Sequence, residues 1–330
     1  YVQTDDINAS GTENWNGGAG FVPIGKGQTP FTGVYDGGSH TITGLTIDRF
    51  EDEVGFFGNV GDLGTVQNVS LRDVDISSGD YSVGALAATN NGRIRNSSAS
   101  GEVKEPEVNP CRECGSGGLV GYNSGEIRDS EADVHIESPG YIGGLVGRNS
   151  GEIHDSEATA DVNGTSRAGG LAGTNATGGK VYGSSASGNV TGTTVGGLLG
   201  YNSGEVYNSS ASGTVTGGEN VGGLVGYNNL FLEDSRALIH SSEASGEVTG
   251  RSNVGGLVGF SQTNPVHESA AEIRESVATG HVNGEEDNIG GLIGHNKGKV
   301  YESESFGITT GGSHVGGLIG LNGEIYESDD

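Results

Sequence analysis

Methionine is absent from these 330 residues, tryptophan occurs once, and aromatic residues make up only 6%. With so few large side chains, the core must be built from Leu, Val, Ile, Ala and Ser, and it must be long and thin. Cysteine occurs twice, at Cys111 and Cys114. A structural zinc site needs four ligands, so this pair cannot form one alone. No apolar run is long enough to span a bilayer as a helix, and no direct membrane insertion is expected of this segment. Positive charge is scarce as well. Sixteen basic residues, only five of them Lys, stand against 43 acidic ones, a formal charge of −27. Such a surface repels nucleic acid and anionic lipid. Low hydrophobicity with high net charge commonly means disorder, but the regularity of this chain overrules that reading.

What is abundant is glycine, 65 residues, and it is ordered. The unit Gly-Gly-Leu-apolar-Gly recurs at 117–121, 143–147, 169–173, 196–200, 222–226, 255–259, 290–294 and 316–320, with weaker versions at 54–58 and 83–88. Its central residues Leu119, Leu145, Leu171, Leu198 and Leu224 lie 26, 26, 27 and 26 residues apart, and the steps to Leu257, Leu292 and Leu318 are 33, 35 and 26. A ligand loop is normally written once. A unit written at a fixed period is a stacking module that cannot bury its apolar face alone.

Residues 195–220 show one module. Turn signals at 202–204 and 217–220 separate short β-rich pieces at Val195–Tyr201, Glu205–Tyr207 and Ser209–Val215. No 3.6-residue periodicity appears, so helices are not expected. The prediction is an all-β parallel β-helix, right-handed, with about 26 residues and three short strands per coil. Coils stacked at about 4.8 Å give a rod on the order of 50 Å for ten to twelve coils. Residues 1–53 read as N-terminal coils or a cap, and 54–330 as the repeat solenoid with insertions near 104–115, 228–237 and 261–270.

Stacking predicts columns. Asn90, Asn123, Asn149, Asn175, Asn202, Asn228, Asn296 and Asn322 share one turn position, with Ser261 the exception. A Ser column runs from Ser97 through Ser130 and Ser156 to Ser328, suited to an inward corner where hydroxyls satisfy backbone groups. An outward column reads Arg95, Arg128, His154, Tyr182, Tyr207, His240, Arg274, Tyr301 and Tyr326, residue types that stack on one another. The same types on other β-helices could bind sugars.

The units Gly117-Gly118-Leu119-Val120-Gly121, Gly143-Gly144-Leu145-Val146-Gly147 and their siblings resemble the GLUG repeat, and Pro30–Ile47 resembles the coil that commonly precedes it. The resemblance covers nearly the whole chain. It implies a parallel β-helix in an extracellular multidomain protein, of the kind found in IgA peptidases, filamentous-haemagglutinin-like adhesins and archaeal surface proteins. It carries over no catalytic residue. The chain opens at Tyr1 in strand-like sequence and breaks off at Asp330 after another repeat has begun, which suggests a piece of a larger surface protein.

Several residues are candidates for chemistry. Residues 20–27 approach a P-loop, but Gly27 stands where Ser or Thr would hold magnesium. Cys111 and Cys114 fit a local disulfide in an oxidising exterior. Glu126, Asp129, Glu152 and Asp155 stack on neighbouring coils and could share calcium, the one cofactor considered. Leu230, Phe231 and Leu232, beside Pro265 and His267, form two loops expected to project together as an interaction patch. Of the Asn-x-Ser/Thr sequons, Asn163 and Asn175 sit at turns and are the chosen glycan acceptors. For a polysaccharide-active enzyme the candidates are Asp36, His40, Asp73 and Asp75, near the first coils, with Asp36 reading better as turn chemistry.

These observations predict a non-catalytic structural or adhesive solenoid at the cell surface or outside the cell. Its partners would be other surface or filament subunits and glycans. The acidity with little Lys predicts a halophile, archaeal by the resemblance. The alternatives are a polysaccharide-binding or polysaccharide-degrading β-helix and a filament subunit that assembles end to end.

Overall fold

The computed structural model describes residues 1–78, 82–104, 115–230, 236–263 and 271–323. Three parallel sheets wind around one axis. The first has ten strands, from Val34–Asp36 to Lys299–Tyr301, and the second has ten, from Phe57–Val60 to Ile319–Asn322. The third gathers 25 strands of two to nine residues from the longer side of each coil. This is the parallel β-helix that the period predicts.

Register is kept from coil to coil. In the first sheet Ile127 pairs with Ile153, then Val181, Val206, Ile239 and Ile273 follow. All six side chains are fully buried. Because strand side chains alternate between faces, the residues on either side of this column point outward. One contiguous apolar core runs from Ala9 to Ile293 and includes the repeat leucines up to Leu292. At the N-terminal end the scarce aromatics are concentrated, with Phe56 and Phe57 packed against Phe21, Phe31 and Tyr35.

The paired glycines make the sharp corner between the third and second sheets. A Cβ on Gly144 would lie 2.1 Å from the carbonyl oxygen of Gly170, and one on Gly170 would lie 2.1 Å from that of Gly197. The same clash repeats at Gly197, Gly223 and Gly256. Backbone fills the space a side chain would need, so these coils require glycine there, whereas the first coils carry Phe56 and Ala85 at the same position. The same corner divides the stretch expected as one strand at 195–201 into Thr194–Gly196 and Leu199–Asn202. The Glu205–Tyr207 strand stands as expected. One short 3-10 segment, Ser10–Gly18, departs from the expected absence of helix. It is a local excursion before the repeats begin.

Both inward polar columns are hydrogen-bonded ladders. Asn123 donates from Nδ2 to Asn149 Oδ1 at 2.8 Å, Asn149 to Asn175 at 2.8 Å, Asn175 to Asn202 at 2.9 Å and Asn202 to Asn228 at 2.8 Å. In the serine column the Ser130 backbone N–H donates to Ser156 Oγ, and Ser156 Oγ donates to the His154 carbonyl oxygen at 2.7 Å. The motif repeats at each coil, so no hydroxyl in the column needs water. The asparagine ladder breaks at Ser261, where Asn228 Nδ2 and Ser261 Oγ are both buried without a partner. Serine is too short to reach the amide below it.

Candidate functional site

On the first sheet the outward column forms the expected stack. His154 and Tyr182 lie 4.9 Å apart between centroids at 15°, and Tyr182 and Tyr207 lie 5.2 Å apart at 10°. Tyr207 continues to His240 at 5.8 Å, and the Arg274 guanidinium sits 4.1 Å above the Tyr301 ring. The ring faces are therefore spent on one another. Two positions earlier runs a carboxylate column tied to the same side chains. Glu126 accepts from Arg95 at 2.8 Å and Arg128 at 3.0 Å, while Glu205 accepts from the Tyr207 hydroxyl at 2.7 Å. Burial, then that hydrogen bond, push the Tyr207 phenol up to about 12.

These contacts bear on the expected calcium ligands. Glu126 and Glu152 stand on neighbouring coils, but the Arg95 and Arg128 guanidinium groups take the first. Glu152 is taken by His154 at 3.1 Å and Lys180 at 3.2 Å. Asp155 faces Arg128 at 3.7 Å. Both glutamates are held below the usual carboxylate range, Glu126 chiefly by the Arg95 hydrogen bond and Glu152 chiefly by that from His154. Among the described residues, no group of three or more acidic, histidine or cysteine side chains is arranged to hold an ion. The four carboxylates, Asp129 included, do not converge, and basic side chains from the same and adjoining coils engage Glu126, Glu152 and Asp155.

The enzyme candidates do not converge either. Asp36 accepts from Gln67 Nε2, Asn68 Nδ2 and the Gly38 backbone N–H, which makes it a turn anchor. His40 faces Asp6 at 3.5 Å, and Asp73 and Asp75 are exposed on the third sheet.

Two expected sites need correction. Asn175 is fully buried, and its Nδ2, the atom a glycan would occupy, is committed to Asn202 in the ladder. Asn163 is exposed, with Oδ1 accepting from Thr191. Leu230 is buried against Ala237 and Ala271 and so is not part of an open apolar patch. The bases of the two insertions do lie side by side, since the Leu230 N–H donates to the Gln262 carbonyl oxygen. Phe231, Leu232, Pro265, His267, Cys111, Cys114, Tyr326 and Ser328 lie outside the described residues.

A further outward column, on the second sheet, escapes the sequence reading. It reads Tyr122, Arg148, Thr174, Tyr201, Tyr227, Phe260 and His295, each one residue before the ladder position. Its upper part is stacked, Tyr227 on Phe260 at 5.1 Å and 8°, and Phe260 on His295 at 4.6 Å and 14°. Burial, then the Lys297 charge, lower the His295 pKa. Lower down, Tyr201 meets Tyr227 edge-on at 89°, and the Arg167 guanidinium comes across from the third sheet. That guanidinium lies 4.2 Å from the Tyr201 ring and 4.8 Å from the Tyr141 ring. Reading the residue before each ladder asparagine as a column would have found this groove.

The GLUG motif family model matches residues 138–163 and 192–216. Halomucin of Haloquadratum walsbyi is 47% identical over 106 residues, which is 31% of this chain and 1% of that protein. A protein of Evansella cellulosilytica named as a Gly-rich membrane protein is 37% identical over 83 residues, 24% of this chain and 10% of that protein. The chain thus spans a small fraction of the curated relatives it matches. A solved structure of a protein assigned as an immunoglobulin A1 protease, from Bacteroides ovatus, aligns over 92% of this chain and 77% of that one, at 16% identity and a TM-score of 0.38.

Proposed function

We propose that this chain, a parallel β-solenoid carrying GLUG motifs, is a non-catalytic structural rod within a large extracellular or cell-surface protein of a halophile. The observation that carries this reading is the closure of each coil upon the next. The asparagine amides, the serine hydroxyls and most outward rings are engaged with the coil above or below. A catalytic centre needs polar groups held in reserve for a substrate. On the first sheet, Glu126, Glu152, Glu205 and Glu272 are matched by neighbours instead.

The similarity to halomucin supports a surface setting, and the charge of −27 supports a saline one. In molar salt the Debye length falls to about 3 Å, so carboxylates a coil or more apart cease to repel. Electron microscopy of natively purified protein in multimolar KCl, with immunogold labelling of intact cells, tests the proposal. Straight rods and label on the cell exterior are expected. Compact particles or internal label would overturn it, as would release of reducing ends from a polysaccharide panel.

A further inference from the structure

Beyond the rod reading, we propose that the groove holding Arg148 and Arg167 binds an acidic saccharide. The guanidinium groups would take a sugar carboxylate, and the Tyr141 and Tyr201 rings would flank the sugar.

Three successive coils build the groove. The first contributes Tyr141 and Arg148, the second Arg167 and Thr174, and the third Tyr201. Arg148 and Thr174 are direct partners in the second sheet, and Tyr201 follows Thr174. Thr174 is small where neighbouring coils carry Arg or Tyr. Arg167 crosses at that level to reach the ring in the coil below and the ring in the coil above.

The polar groups of this groove are left unsatisfied. Among the described residues, Arg95, Arg128, Arg251 and Arg274 each have a carboxylate within ion-pairing distance. Among the described residues Arg148 and Arg167 have none, a lack shared by Arg72, although acidic residues outnumber basic ones by 43 to 16. Arg148 Nε is buried without a hydrogen-bond partner. So is the hydroxyl of Thr174, a residue only 4% exposed. Stacking on tyrosine accounts for the planar faces of Arg167 but leaves its N–H edge unused. Stacking explains neither the bare Nε nor the bare hydroxyl.

A ligand carboxylate answers these requirements. It brings two acceptor oxygens to guanidinium N–H groups that have no acceptor, and a sugar hydroxyl can pair with Thr174. A pyranose also presents a face of C–H bonds, which packs on an aromatic ring. Tyr141 has Arg167 over one face, and the position below it in its column is Gly115, which carries no side chain. Long-range repulsion from the acidic surface would keep a polyanion away in dilute buffer. In molar salt that repulsion is screened, while contacts at hydrogen-bond distance persist.

The test is isothermal titration calorimetry of the intact chain in multimolar KCl against oligogalacturonate and its methyl ester. The acid should bind saturably and the ester about tenfold or more weaker, since esterification removes the charge and leaves the ring. Arg148→Gln and Arg167→Gln should each weaken binding by about tenfold or more, and Thr174→Val by a smaller factor. Arg251→Gln, outside the groove, should leave it unchanged, and thermal melts would verify that each variant folds. Absence of binding, equal binding of acid and ester, or binding that survives both arginine variants would overturn the proposal. If sedimentation instead shows self-association that Arg148→Gln abolishes, with no saccharide binding, the carboxylate comes from a second copy and the saccharide is wrong. None of these outcomes changes rod shape or cell-surface labelling, so the groove and the rod stand or fall separately.

Discussion

Asn149 accepts a hydrogen bond from Asn123 below, and its Nδ2 donates to Asn175 above and to the Gly151 carbonyl oxygen. Replacing it with alanine leaves buried groups without partners on both neighbouring coils. Each such group costs about 1–3 kcal/mol, so Asn149→Ala should lose about 2–4 kcal/mol in equilibrium denaturation. Ser261 is the converse case. Ser261→Asn supplies the amide that Asn228 Nδ2 lacks and should gain about 1 kcal/mol. A melting temperature unchanged or lowered by Ser261→Asn would show that the gap is otherwise filled. Peptide mass spectrometry should find Asn175 unmodified even where other sequons carry glycan, because its Nδ2 is in the ladder.

Legibility at this scale followed repetition. The asparagine, serine and outward aromatic columns could be read directly, because stacking makes each residue type its neighbour's partner. Asn175 was misjudged because its sequon and its ladder position share the same turn, and only depth separates them. The Arg148–Arg167 groove was missed for another reason. Its two arginines lie in different columns, Arg148 on the second sheet and Arg167 on the third, on either side of the glycine corner.

At the scale of a strand and its neighbours, the paired carboxylates set the response to acid. Glu126 and Glu152 have folded pKa values below their ordinary ones, through hydrogen bonds led by Arg95 and His154. The unfolded chain therefore takes up protons first. Their stabilisation is present above the ordinary carboxylate range and is lost as pH falls through the folded values. Melts at constant molar KCl should show stability declining as pH falls through and below the ordinary carboxylate range. The double variant Glu126→Gln, Glu152→Gln should flatten part of that decline. An unaltered slope would mean that other carboxylates govern it. The outward stack is testable in the same way. Tyr182 has a ring on each side, and at about 0.5–1.5 kcal/mol per aromatic contact, Tyr182→Ala should lose about 1–3 kcal/mol.

Strand positions were partly legible. Glu205–Tyr207 alternates cleanly between faces and was found. The Gly-Gly-Leu segment was expected as one strand because its composition is continuous. The bend within it comes from backbone packing against the next coil, which no single coil's sequence displays.

For the molecule as a whole, the charge of −27 is spread along a thin rod with few basic residues to offset it. Self-repulsion in dilute buffer opposes folding, and salt removes it. The melting temperature should climb steeply from dilute to molar KCl. A flat dependence would sink the halophile reading while leaving the fold untouched.

The break at Ser261 has a mechanical meaning. Hydrogen bonds between coils run along the axis of the rod, so a pull from end to end loads every interface between coils in series. The weakest interface then sets the strength of all of them. Between the coils of Asn228 and Ser261 the amide cross-tie is missing, but the long strand pairs Val215–Gly222 with Val248–Gly255 and Val225–Asn229 with Val258–Gln262 carry load across the same interface. Parting one interface by a few ångströms would free a coil of roughly 26 to 35 residues, about 90–120 Å of extended chain at about 3.4 Å per residue. Under tension the segment would lengthen stepwise, one coil at a time, without a covalent bond being cut.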